Sequence, residues 1–155
     1  MPSTTPIVRQ TAWISLIPQL LVMGIFMYVF YALIGVAFYG AAVYLILSFG
    51  LKSVFLRAHR QGMERVKQHQ LADAIPLFVK SVVYFTNHAW LDKYRYLTLL
   101  DSSKISYKEM GLSNIAYCYY HTGDTKTAKE YYERLLAEFP ENETAKASLT
   151  LLNTP

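Results

Sequence analysis

Cys118 and His121 stand three residues apart, the one place in the chain where a thiol and a base share a local register. A cysteine nucleophile would also need an orienting group and an oxyanion donor, and the flanking residues offer neither. Cys118 fits better as a small buried hydrophobe. As the only cysteine it cannot close an intramolecular disulfide, which excludes a bridge-stapled fold and agrees with a reducing compartment. The four histidines, His59, His69, His88 and His121, include no i, i+4 pair able to grip zinc from one helix face. His59 and Glu64 are five apart, a poor geometry on a helix. There is no Gly-rich phosphate loop and no G-x-S-x-G elbow. The sequence therefore predicts no catalytic residue, no metal site, no cofactor and no enzyme.

The elements around these residues explain more. Apolar residues make up 53% of the chain and charged ones only 17%, against about 25% charge in soluble domains. The deficit is local: 42 consecutive residues between Arg9 and Lys52 carry no Asp, Glu, Lys or Arg. A signal-peptide core runs to ~7–15 residues, so this segment is too long for one. As a single helix it would measure ~63 Å at 1.5 Å per residue, about twice the ~30 Å hydrocarbon core. Two crossings fit, near Trp13–Tyr31 and Leu33–Leu51, with a tight turn around Tyr31–Gly35. Tyr28 and Tyr31 would lie at headgroup level at the turn and Trp13 at the opposite end. Small residues, Gly35, Ala37, Gly40, Ala41 and Ala42, cluster in the second span. Ala37 and Ala41 share a face that lets a neighbouring helix approach. The other topology is an interfacial stretch broken at Pro18, followed by one tilted span. Only Ser15, Gln19 and Ser48 are polar here, which argues against transport by this chain alone.

Charge adds orientation. Residues 1–70 hold six basic groups against one acid, and residues 71–155 hold nine against ten. Lys52, Arg57, Arg60, Arg65 and Lys67 follow the hairpin and Arg9 precedes it, so the positive-inside bias places both termini in the cytoplasm. The same cluster suits anionic headgroups. A near-neutral C-terminal part argues against nucleic-acid binding. With no Pro between Gln19 and Ile75, the second span is expected to continue as one helix to about Gln68.

From Tyr107, Leu112, Ile115, Ala116 and Tyr119 keep helical spacing. Gly123-Asp124 then breaks the pattern, Ala128, Tyr131, Tyr132, Leu135 and Leu136 form a second stripe, and Pro140 closes it. An antiparallel helix pair follows. Leu112, Ile115, Ala116, Tyr119, Ala128, Tyr132 and Pro140 resemble the tetratricopeptide repeat pattern, with Leu for its Trp and Ala for its first Gly. A fainter upstream copy runs through Ala58, Gly62, Ala74 and Phe78, but Arg65 stands in for Tyr119 and His69-Gln70 for the turn. The insert NHAWLDKYRYLTLLDSSKIS separates the copies, and Trp90, Tyr94, Leu97 and Leu100 suggest a short buried helix across the repeats. Ala145, Leu149 and Leu152 mark a capping helix.

The expected fold is all-α: a transmembrane hairpin over residues 1–52, then a cytoplasmic helical domain over 53–155. Within it fall a degenerate repeat (55–86), the insert (87–106), a clear repeat (109–142) and a cap (143–152). The layout is similar to that of small bacterial membrane proteins carrying such repeats, a resemblance that supplies no activity. The repeat resemblance implies a peptide-holding face on the first helix, here Ser113, Asn114, Tyr117, Tyr120 and His121. The function expected is a membrane-anchored adaptor, in the inner or plasma membrane, that binds another protein or peptide. The alternative is an accessory subunit that packs through Gly35, Ala37, Gly40 and Ala41 into a larger complex or against a second copy.

Overall fold

The structure is a computed structural model and describes residues 16–153. Arg9, Trp13, Ser15 and the start of the expected first span lie outside the described residues. Those described form an all-α chain: α1 (Leu16–Ile34), α2 (Ala37–Phe55), α3 (Arg57–Lys67), α4 (Leu71–Asn87), α5 (Ala89–Lys93), α6 (Arg95–Thr98), α7 (Tyr107–His121), α8 (Thr125–Glu138) and α9 (Glu143–Leu152). They fall into two compact units. One contains residues 16–57 and 90–104, the other 58–89 and 105–153.

In the first unit α1 and α2 are antiparallel helices of 19 residues each. Both end a few residues beyond the expected spans, at Ile34 and Phe55, and α2 begins at Ala37, later than the expected Leu33. Gly35 makes the turn: its φ of 75° is open to glycine at no steric cost, and its N–H donates to the Tyr31 carbonyl at 2.8 Å. Gly40 sets the helix spacing, because a Cβ there would overlap the Phe26 carbonyl and the Met27 Cα. Gly40, Tyr44 and Ser48 recur every fourth residue and form the buried ridge of α2. Tyr44 meets the Phe26 ring edge-on at 6.2 Å. Every residue of α1 keeps some exposure.

The second span does not run on to Gln68. Its ladder ends where the Leu56 N–H bonds the Lys52 carbonyl, with Leu56 at φ −99° and ψ 9°. No Gly or Pro dictates this break. The Leu56 side chain is buried, and tertiary burial has overridden a helix-compatible sequence.

The insert also departs from expectation. It forms α5 and α6, and residues 90–104 belong to the unit of the helical pair, with α6 against α1. Leu91, Leu99 and Leu100 are buried, whereas Trp90, Tyr94 and Leu97 are exposed. The Arg95 guanidinium holds the segment together, donating to the carbonyls of Asp92 (2.9 Å), Ser103 (2.8 Å) and Lys104 (2.8 Å).

The other unit contains residues 58–67 of α3 together with α4, α7, α8 and α9, packed in repeat-like antiparallel fashion: α4 on α7, α7 on α8, α8 on α9. Its core gathers Val66, Ala74, Phe78, Val82, Leu112, Ile115, Ala116, Cys118, Tyr132, Leu135 and Ala145. Close approaches explain the small residues. A Cβ on Gly62 would lie 2.8 Å from the Phe78 ring, and one on Gly111 would lie 2.6 Å from Val82 Cγ2.

The α3–α4 and α7–α8 turns use one design. Asp124 N–H donates to the Tyr119 carbonyl (3.0 Å) and Gly123 N–H to Tyr120 (3.2 Å); Gln70 N–H donates to Arg65 (2.9 Å) and His69 N–H to Val66 (3.0 Å). Both are Schellman closures with a left-handed residue after the helix, Gly123 at φ 91° and His69 at φ 59°. The turn that the sequence conceals at His69 is built like the one it shows at Gly123.

Caps fix the remaining ends. Ser106 Oγ accepts from Glu109 N, Asp124 Oδ1 from Thr127 N and Asn142 Oδ1 from Ala145 N. The Glu109 carboxylate, in turn, accepts from Asn142 Nδ2 at 2.9 Å. That bond ties the start of α9 to the start of α7, and a Lys108–Glu138 ion pair ties α7 to α8.

Candidate protein-binding surface

Helix α7 is almost wholly interior: Met110 through Ala116 and Cys118 are buried. Two of the expected groove residues go with them. Ser113 is 2% exposed and Asn114 is fully enclosed, its Nδ2 3.4 Å from the Met63 sulfur. Neither is offered to a ligand. Tyr117 and Tyr120 are half-buried and His121 is exposed. These three are brought together: the His121 ring lies 4.3 Å from Tyr117 and meets Tyr120 edge-on at 5.1 Å. Burial, then the neighbouring Cys118, raises the Tyr117 pKa, which keeps that phenol protonated at neutral pH.

The chemical candidates separate clearly. Cys118 is buried, and burial pushes its thiol up to about 12. A low-pKa, accessible thiolate is what reactivity needs, so a Cys118–His121 dyad has no nucleophile. His59 is buried, with its ring edge-on to Phe78 at 5.4 Å and Tyr107 at 5.7 Å. Burial lowers its pKa to about 4, which makes it a neutral core residue. Among the described residues no group of three or more His, Cys, Asp or Glu could hold a metal.

Arg57, Arg60, Arg65 and Lys67 are exposed on α3, and Arg65 also reaches Gln70. Lys52 differs, pairing with the buried Asp101 at 3.9 Å. Of the small residues, Gly35 forms the turn and Gly40 the close contact. Ala37 and Ala41 are half-buried beside it.

A second concavity was missed in the reading of the sequence. Val79, Val83 and Thr86 of α4, with Tyr131 and Arg134 of α8 as the opposite wall, enclose about 200 Å³ over Ile115. Val83 is 53% exposed. The consecutive valines Val82 and Val83, one inward and one outward, were the available clue.

A family model described as tetratricopeptide repeat matches residues 112–142. Residues 112–142 carry a tetratricopeptide-type repeat motif. It begins at Leu112 within α7, takes in all of α8 and stops at Asn142, the cap of α9. No curated protein and no solved structure matches the chain. The helical-repeat architecture is consistent with a protein–protein interaction scaffold.

Proposed function

We propose that the protein is a membrane-anchored, non-enzymatic adaptor that presents a small helical-repeat unit to a protein partner in the cytoplasm. The observation that carries the binding role is the repeat motif on α7–α8 together with the clustered, partly exposed Tyr117, Tyr120 and His121 within it. Tyr supplies large, stiff contact area and is enriched among residues that dominate interfaces. The shared Schellman turn at His69 and the buried Gly62, Ala74 and Phe78 support reading residues 55–86 as a degenerate first repeat, followed by the insert, the clear repeat and a cap over 143–152.

Anchoring draws on α1 and α2, both long and apolar enough to cross a bilayer. Exposed Leu20, Leu21, Phe38, Ile46 and Phe49 would be satisfied by lipid. With Lys52, Arg57, Arg60, Arg65 and Lys67 after α2, the positive-inside bias orients both ends and the repeat unit to the cytoplasm. Attachment then raises effective concentration at the membrane without an added contact. A purified full-length chain in mild detergent, used as bait, tests the binding surface. Tyr117→Ala with Tyr120→Ala should remove the co-purifying partner while circular dichroism stays unchanged; undiminished capture would refute the aromatic surface.

A second reading, an accessory subunit docking through the hairpin, draws on the tight Gly40 approach and its half-buried neighbours Ala37 and Ala41. Ala37→Leu with Ala41→Leu would then dissociate the complex while the tyrosine variant would not.

A further inference from the structure

The insert between the two helix pairs presents an unusual face. Backbone bonds from Tyr94 N–H to the Trp90 carbonyl (3.0 Å) and from Thr98 N–H to the Tyr94 carbonyl (3.0 Å) carry a helical ladder across the α5–α6 junction. Trp90, Tyr94 and Leu97, at i, i+4 and i+7, therefore share one side. They are 58%, 43% and 48% exposed. The opposite side is buried: Leu91, Asp92 and Leu99 are 5%, 5% and 0% exposed. The segment is amphipathic in the ordinary sense, but its outward face is the bulky aromatic one.

The charges are sorted in the same way. Both acids of the insert, Asp92 and Asp101, are buried, while both lysines, Lys93 and Lys104, are exposed. Lys93 Nζ sits 5.4 Å from the centre of the Tyr94 ring, so cation and aromatic are presented together. The insert's place in its own unit is at the open end of the helical pair, away from the Gly35 turn. Asp101 pairs with Lys52 in the last turn of α2, and α6 rests on α1.

We infer that residues 90–104 form a membrane-interface anchor, with Trp90, Tyr94 and Leu97 seated among the headgroups of an anionic leaflet and Lys93 and Lys104 directed to its phosphates. Three features point to a bilayer. Trp and Tyr are the residues enriched at headgroup depth, where an apolar ring and a polar tip are both satisfied. The outward charge is wholly positive, complementary to anionic lipid. The face also belongs to the same compact unit as the hairpin, whose helices expose large apolar residues of their own. Interfacial segments of this kind lie in the membrane plane and do not cross it.

This inference rests on the transmembrane reading of α1 and α2, and the experiment separates the two. Full-length protein carrying Trp13→Phe, which leaves Trp90 as the sole tryptophan, is reconstituted alone into phosphatidylcholine–phosphatidylglycerol vesicles brominated near the headgroup or near the chain ends. Trp90 at headgroup depth should be quenched at least about twofold more by shallow bromines than by deep ones, and be shielded from aqueous iodide. A second variant, Ile25→Trp with Trp13→Phe and Trp90→Phe, reports on the middle of α1 and should respond to deep bromines. If Ile25→Trp is quenched from the bilayer centre while Trp90 answers only to iodide, the interface anchor is refuted and the hairpin stands. A face built for a protein partner gives that same result, since no partner is present. If Ile25→Trp is not quenched by lipid, the transmembrane reading fails and the anchor fails with it.

Discussion

Gly62→Ala is the sharpest test of how the helical unit is packed, because two physical effects predict opposite signs. Helix propensity alone favours Ala over Gly by about 0.8–1.0 kcal/mol in a helix interior. The structure places the new Cβ 2.8, 2.9 and 3.0 Å from Cε1, Cδ1 and Cζ of Phe78. Ordinary contact begins near 3.4 Å, so the ring would have to retreat by roughly 0.6 Å. Phe78 is fully buried, with the His59 ring edge-on to it at 5.4 Å. Overpacking of this kind costs about 1–3 kcal/mol and outweighs the propensity gain. A net loss of about 1 kcal/mol should lower the midpoint of a unit this size by about 4–8 °C. The assay is unfolding of the full-length protein in mild detergent, followed by far-ultraviolet circular dichroism. In a Phe78→Leu background the obstructing ring is gone, and the same Gly62→Ala change should become stabilising. Such a reversal is the signature of direct coupling. If Gly62→Ala stabilises both backgrounds equally, the close packing of α3 on α4 is refuted.

Three further outcomes follow from single residues. His69→Gly relieves a left-handed backbone that costs an L-residue roughly 1–2 kcal/mol, so the variant should unfold at a higher temperature; no gain would argue against that turn. The His59 pKa, lowered by burial to about 4, lies below its unfolded value of about 6.5, so the unfolded state binds the proton first as pH falls. The contribution is complete above pH ~6.5 and is lost on the way down to pH ~4, on the order of 3 kcal/mol; His59→Leu should flatten a denaturation series across that window. Cys118 is shifted the other way, its thiol pushed up to about 12 by burial. Its contribution is whole below the unfolded thiol pKa and is lost progressively as pH rises from there toward about 12. At pH 8 an aromatic disulfide reagent should label Cys118 only after denaturant is added, and prompt labelling would contradict its burial.

Much of the helical unit was legible because local rules and tertiary packing agree there. The α7–α8 pair follows from Leu112, Ile115, Ala116 and Tyr119 on one stripe and Ala128, Tyr132 and Leu135 on the next, with Gly123 supplying the positive φ between them. The α1–α2 pair was legible for a cruder reason: 42 uncharged residues exceed one crossing length, and Gly35 is where the chain can reverse. The turn at His69 was invisible, since a non-glycine residue in left-handed geometry persists only when the surrounding packing enforces it. Of the site residues, spacing placed Ser113, Asn114, Tyr117, Tyr120 and His121 on α7. It could not say that neighbouring helices enclose Ser113 and Asn114 and leave the Tyr117–Tyr120–His121 cluster partly open.

The sequence alone determined the helical content, the apolar hairpin segment, the sign of the charge that follows it and the repeat motif at residues 112–142. These properties depend on spacing over a few turns and on composition, and a linear reading captures both. Only the tertiary structure decided the break at Leu56, the assignment of residues 90–104 to the unit of α1 and α2, and the outward turn of Trp90, Tyr94 and Leu97. Those outcomes depend on which apolar surfaces meet first in space. A stripe at helical spacing records that a face is apolar, whereas what covers that face is set by contacts distant in sequence.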